Sequence, residues 1–150
     1  MSDFIEKSVL IAASRSRVWR ALTDYREFGK WFRVALDGPF IEGKAVTGRI
    51  TYAGYEHLRF TAMVKKIEPE HTFAYTWHPY AIDPAKDYSG ETPTLVEFTL
   101  KDEAGGIRLH VIESGFDKLP PSRRDEAFRM NEGGWGTQMT NIAEHILNAP

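Results

Sequence analysis

Asn131-Glu132-Gly133-Gly134-Trp135-Gly136 is a glycine-crowded stretch inside a segment whose remaining residues spell a long helix. From Ser122 to Leu147 there is no proline. Trp135, Met139, Ile142 and Ile146 recur at spacings of four, three and four, the mark of one apolar helix face. Each of the three glycines disfavours the helix by about 1 kcal/mol relative to alanine. A helix that keeps them is expected to need the space, for a close backbone approach, a kink or a cavity wall. The segment therefore reads as a helix that covers something. The glycines either thin it to leave room or let it pack closely on a sheet.

What precedes that helix reads as strands. Phe4 to Ala12 is β-rich, with Ile5, Val9 and Ile11 on one side. Ser14 can cap a short helix over Arg15 to Asp24, whose apolar face is Val18, Trp19 and Leu22. A second helical piece, Tyr25 to Phe32, gathers Phe28, Trp31 and Phe32. Strand-like runs follow over Ala45 to Tyr52, His57 to Ile67, Thr72 to His78, Thr94 to Lys101 and Ile107 to Phe116. Glu68-Pro69-Glu70 and Gly105-Gly106 supply turns between them, and such short links predict an antiparallel meander. The expected fold class is α+β: one domain over 1–150 with its helices segregated on a sheet of about six to seven strands. One connection is long. His78 to Pro93 runs sixteen residues without regular pattern, and reads as a lid, an arm toward a partner subunit in a homodimer, or a solvated insertion.

Composition narrows the function classes. The net charge of −2 offers no basic surplus for phosphates, so no nucleic-acid partner is expected. Nine Phe, six Tyr and four Trp suit a core or a pocket for a flat organic ligand. The absence of cysteine excludes disulfides, thiol nucleophiles and thiolate-held metals. The start Met1-Ser2-Asp3-Phe4-Ile5-Glu6-Lys7 has no cationic, apolar export pattern, and nothing approaches a membrane span, so a cytoplasmic location is expected. Five histidines form neither HExxH nor His-x-His, and no metal site is expected. Arg123-Arg124-Asp125-Glu126 reads as a solvated helix start.

The element order, with Arg17-Val18-Trp19-Arg20-Ala21-Leu22-Thr23-Asp24, Lys30-Trp31-Phe32, Glu113-Ser114-Gly115-Phe116 and Gly134-Trp135, resembles the START-like helix-grip (SRPBCC) superfamily across the whole chain. Within it the chain is similar to the branch homologous to the activator of the heat-shock-protein-90 ATPase. The resemblance implies a curved antiparallel sheet wrapped on a long C-terminal helix, with two short helices after the first strand and a hydrophobic cavity between sheet and helix. Members bind lipids, hormones or polyketides, some catalyse cyclisations, and one branch stimulates a chaperone. In Trp77-His78-Pro79-Tyr80, Glu113-Ser114-Gly115-Phe116-Asp117 and Asn131-Glu132-Gly133-Gly134-Trp135 the chain is also similar to a bacterial subgroup labelled vanillate demethylase reductase-like. Such a reductase needs flavin and nicotinamide domains and an iron–sulfur centre, which this length and the lack of cysteine exclude, so no cofactor is expected.

Strand alternation sorts the candidate residues. Phe73, Tyr75 and Trp77 share one face, as do Val96, Phe98 and Leu100, and Leu109, Val111 and Glu113. If these faces are concave they meet Phe128, Trp135, Met139 and Ile142 of the helix. With Trp31, Phe32 and Tyr80, the candidate ligand-binding set is Trp31, Phe32, Tyr75, Trp77, Tyr80, Phe98, Glu113, Phe128, Trp135 and Met139. Glu113 is the odd member. A carboxylate in an apolar register requires hydrogen-bond partners, with Asn131, Glu132 and Gln138 as candidates, unless the strand end lies in water. The expected function is binding of a small hydrophobic or aromatic molecule, with Glu113, Trp77 or Tyr80 orienting it. The alternatives are a cavity enzyme with Glu113 or His78 moving protons, and a chaperone-activator-like interaction module.

Overall fold

A computed structural model describes residues 3–149; Met1 and Ser2, which belong to the N-terminal run read above, and Pro150 lie outside them. The chain runs β1 (Phe4–Ile11), α1 (Arg15–Thr23), α2 (Tyr25–Phe32), β2 (Val34–Leu36), β3 (Ala45–Ile50), β4 (Arg59–Glu68), β5 (Thr72–Trp77), β6 (Thr94–Glu103), β7 (Gly106–Ser114), a 3-10 turn (Phe116–Lys118) and α3 (Pro121–Asn148). The seven strands form one antiparallel sheet in the order β1-β7-β6-β5-β4-β3-β2. The meander thus runs from β2 to β7 through neighbours, and β1 closes its far side. β2, only three residues long, carries no period of its own in the sequence and exists through its pairing with β3. Among the described residues no helix is long and apolar enough to cross a membrane.

Local chemistry accounts for the elements. The Ser14 side chain accepts from the Arg17 amide at 3.2 Å and starts α1. Asp24 ends α1 and caps α2 by accepting from the amides of Arg26 and Glu27. Between β6 and β7, Gly105 and Gly106 both have positive φ, at 94° and 149°, and a side chain on Gly106 would overlap the Ile11 carbonyl of β1. A register shift between Val64 and Lys66 marks a bulge in β4 that bends the sheet.

Burial alternates along the strands, as expected for β6 and β7. Phe60, Ala62 and Val64 of β4, Val96, Phe98 and Leu100 of β6, and Ile107, Leu109, Val111 and Glu113 of β7 all point into the core. α3 packs beside β1, α1 and α2 and buries Ala127, Phe128, Trp135, Met139, Ile142 and Ile146. Glu27 ties the three helices together: its carboxylate meets Arg20 Nε and His145 Nε2 at 2.8 Å and Arg17 Nη1 at 2.9 Å. The α3 glycines do not produce a close approach. An added Cβ at Gly133, Gly134 or Gly136 would meet nothing within 4 Å, so dense packing on the sheet is not what retains them.

Candidate functional site

The site is built around a carboxylate with no exposed surface. Glu113 is 0% exposed and accepts four hydrogen bonds. Its Oε2 receives Trp77 Nε1 at 2.8 Å and Thr94 Oγ1 at 2.5 Å, and its Oε1 receives Trp135 Nε1 at 2.8 Å and Asn131 Nδ2 at 2.9 Å. Register brings these groups together: Glu113 faces Val96 on β6, while Thr94 begins β6 opposite Trp77 at the end of β5. α3 delivers Asn131 and Trp135 one turn apart. Of the partners expected from sequence, only Asn131 reaches Glu113; Gln138 instead donates to the Phe32 carbonyl at 3.2 Å and Glu132 is exposed. The strand end is enclosed rather than solvated because four donors meet every acceptor direction of the carboxylate.

Two aromatic walls follow from this anchor. Phe32, Trp77 and Trp135 have ring centroids 5.9 to 6.3 Å apart and border, with Asn131, Gly134 and Gln138, a small cleft of about 100 Å³. Phe32, Trp77 and Gln138 also border a larger open groove of about 810 Å³. Phe60 joins its floor, Tyr52 and Tyr55 from the β3–β4 link form one wall, and Tyr80, Ile82 and Tyr88 from the 78–93 loop form the other. Two other surface hollows, about 430 Å³ beside Gly29 and about 620 Å³ beside Ser14, have at most one aromatic residue in their walls.

The long loop is fastened to its own chain. The Arg123 guanidinium donates to Glu91 at 2.8 Å and to the carbonyls of Tyr80 and Pro79 at 3.0 Å, and lies 4.7 Å over the Tyr88 ring. Lys86 adds a contact to Glu91 at 3.3 Å. Arg123 is therefore not a solvated helix-start residue: only 13% of its side chain is exposed, because the loop folds over it. The hydrogen bonds from Arg123, acting against some desolvation, hold the Glu91 carboxyl below its ordinary range. Tyr80 sits at φ 51°, a left-handed conformation held by the bonds at its carbonyl and its neighbour's.

The structure divides the sequence-derived candidates into two groups. Phe32, Trp77, Tyr80 and Trp135 border the cleft or the groove. Tyr75, Phe98, Trp31, Phe128 and Met139 are buried in the core, where Trp31 Nε1 donates to the Ala21 carbonyl at 2.8 Å. Glu113 stands behind the cleft wall and does not border it. Tyr75 carries a buried hydroxyl without a partner; burial, then the charge of Glu113, pushes its phenol well above its ordinary value. His78 lies in the groove wall with Nδ1 buried and unpartnered. The sequence reading passed over Phe60, Tyr52, Tyr55, Tyr88, Thr94 and Arg123. The alternation Phe60-Ala62-Val64 carried a signal for the first, while the others depend on contacts far apart in the chain.

The family model described as Activator of Hsp90 ATPase homolog 1-like protein matches residues 12–146. The chain belongs to that family. Solved structures share its architecture. Protein MLL2253 from Mesorhizobium loti is 23% identical with a TM-score of 0.76, covering 98% of both chains. The Aha1 dimer from Colwellia psychrerythraea is 16% identical with a TM-score of 0.70, covering 97% of this chain and 96% of that one. DynU16, a protein of the dynemicin biosynthetic locus, is 22% identical with a TM-score of 0.74; the match covers 97% of this chain but only 48% of DynU16. At these identities the likeness establishes the fold. Comparison with curated protein sequences gives no match.

Proposed function

We propose that the protein binds a small hydrophobic or aromatic molecule in the open groove between the β3–β4 link and the 78–93 loop. The observation that carries this reading is the groove itself: about 810 Å³, floored by Phe32, Phe60 and Trp77 and walled by four tyrosines. That volume lies within the roughly 300–1,000 Å³ common for small-molecule sites, and aromatic walls supply apolar area with little side-chain entropy to lose. Arg123 holds the loop in place before any ligand arrives, which lowers the ordering penalty of binding. Trp77 offers a ring face only, since its N–H is committed to Glu113. His78 also lines the groove, with its Nδ1 buried in the wall.

An acid–base role for Glu113 is not favoured by this geometry, because four donors separate it from any molecule in the groove. The test is native mass spectrometry of purified protein with extraction of any bound molecule, followed by tryptophan-fluorescence titration with 2-naphthol and dodecanol. Saturable binding weakened by Tyr52→Ser and Tyr55→Ser, without loss of thermal stability, is the expected result. An empty protein whose melting temperature neither probe moves overturns the reading.

A further inference from the structure

The small cleft beside the groove has an electrostatic property that its lining conceals. Phe32, Trp77, Asn131, Gly134, Trp135 and Gln138 include no charged residue, yet three of the four groups that hold Glu113 are in this wall. The carboxylate therefore lies one side chain behind the cleft. All four of its partners are neutral, and among the described residues no Lys, Arg or His forms an ion pair with it. Neutral donors solvate a buried anion but leave its net charge in place. The Arg and Lys side chains of the adjoining groove are already matched, Arg59 with Asp37 at 3.0 Å and Lys86 with Glu91 at 3.3 Å; its other basic residues are the imidazoles of His57 and His78.

The rings add to this charge. Aromatic faces are electronegative and attract a cation within about 6 Å of the centroid, most strongly for Trp. Two indoles whose N–H groups point at a carboxylate are polarised further in that sense. Acceptors for hydrogen bonds are scarce, however. The lone pairs of Glu113 are occupied and Gln138 Oε1 accepts from Asn141 at 3.2 Å, which leaves the Asn131 amide oxygen as the main side-chain acceptor of the wall. A primary ammonium or a guanidinium would leave several N–H groups without partners, whereas a methylated ammonium has few or none to satisfy. The volume, about 100 Å³, is a few times the roughly 30 Å³ share of one liquid water and suits a compact headgroup. Gly134 keeps it open, since the space where a Cβ would stand is empty.

We propose that this cleft is a subsite for a methylated ammonium group, so that the ligand is an amphiphilic cation with its apolar remainder in the larger groove. Placing that remainder rests on the function proposed above; the cationic preference of the cleft does not.

Choline and its neutral isostere 3,3-dimethylbutan-1-ol separate charge from shape. Binding of each is read on the native protein from the indole ¹H–¹⁵N resonances of Trp77 and Trp135, assigned by Trp→Phe variants. Choline is expected to bind at least about tenfold more tightly than the isostere, the lower part of what a desolvated cation–π site provides. Gly134→Leu, which fills the cleft from an exposed helix position, should abolish choline binding while the protein stays folded. Glu113→Gln should reduce the preference for choline. Equal or tighter binding of the isostere, or choline shifts that survive Gly134→Leu, overturns the proposal. If choline fails while 2-naphthol still binds the groove, the cationic subsite falls and the hydrophobic site stands; if neither binds, both fall.

Discussion

Replacing Glu113 with glutamine tests whether the buried carboxylate sets the aromatic site. The amide keeps the shape but offers one acceptor oxygen where there were two. Its nitrogen is better placed at the Oε2 position, where the Thr94 hydroxyl can reverse and accept from it; at Oε1 the Asn131 amide would have to flip and the more deeply buried Trp135 would lose its acceptor. Trp77 then loses its partner, while Trp135, only 3% exposed, keeps its own. One orphaned donor costs about 1–3 kcal/mol, less here because Trp77 is partly exposed and can reach water. The surviving bonds also lose their charge assistance, which roughly halves each. The sum is about 2–4 kcal/mol, or a fall in melting temperature of roughly 5–15 °C for a chain of this size. Glu113→Leu orphans all four donors and should be clearly worse than Glu113→Gln. Urea unfolding followed by circular dichroism measures both, and indole ¹H–¹⁵N spectra should show Trp77 moved and Trp135 nearly unchanged in the glutamine variant. A leucine variant as stable as the parent would refute the reasoning, since the four bonds would then hold nothing that packing does not.

Three further perturbations examine other parts of the structure. Gly133→Ala on the exposed side of α3 should raise stability by about 1 kcal/mol, a gain of roughly 2–4 °C by calorimetry; a loss would mean that the glycine has a conformational task. Tyr75→Phe removes a buried hydroxyl that has no partner and should be neutral or stabilising by up to about 1 kcal/mol in urea titration, whereas destabilisation beyond that would reveal a hidden bond. Arg123→Ala should destabilise by about 2–3 kcal/mol, below the roughly 3–5 of a fully buried pair, and expose the 78–93 loop to protease; an unchanged cleavage pattern would count against the clamp. The Glu91 side of that clamp is acid-sensitive. Its folded pKa is lowered, so its contribution is complete above the ordinary carboxylate value near about 4.3 and is lost as pH falls through the folded value. Loop proteolysis with an acid-active protease should therefore rise on acidification in the parent but show no such step in Glu91→Gln.

The fold was legible because its periods are clean. Val96-Phe98-Leu100 and Leu109-Val111-Glu113 alternate without interruption, and Trp135, Met139, Ile142 and Ile146 keep helical spacing, so the strand faces and the α3 stripe follow from local pattern. β2 was not legible, since three residues hold no period and the strand depends on β3. Glu113 was marked as anomalous by its register, but only Asn131 among its partners could be named, because Trp77 and Thr94 reach it through cross-strand pairing. Arg123 carried no signal: its neighbours in sequence are mixed charges, and Glu91, 32 positions earlier, sits in a loop without pattern. The α3 glycines suggested space without indicating which side of the helix it lay on. Local periodicity records which face is apolar, and the site is assembled from contacts that periodicity does not encode.

The pairing of β1 with β7 bears on how the chain is made. Phe4–Ile11 precedes the other six strands in the chain, yet its partner Gly106–Ser114 lies roughly a hundred residues downstream. At synthesis rates of about 5–20 residues per second, the first strand waits roughly 5–20 s for its neighbour. During that time an alternating apolar segment with unpaired edges is open to wrong partners, and closing so long a loop makes this pairing a late step. The strand that completes the sheet is thus made before its six neighbours and is among the last to be secured, which makes it the point at which a nascent sheet is most in need of protection.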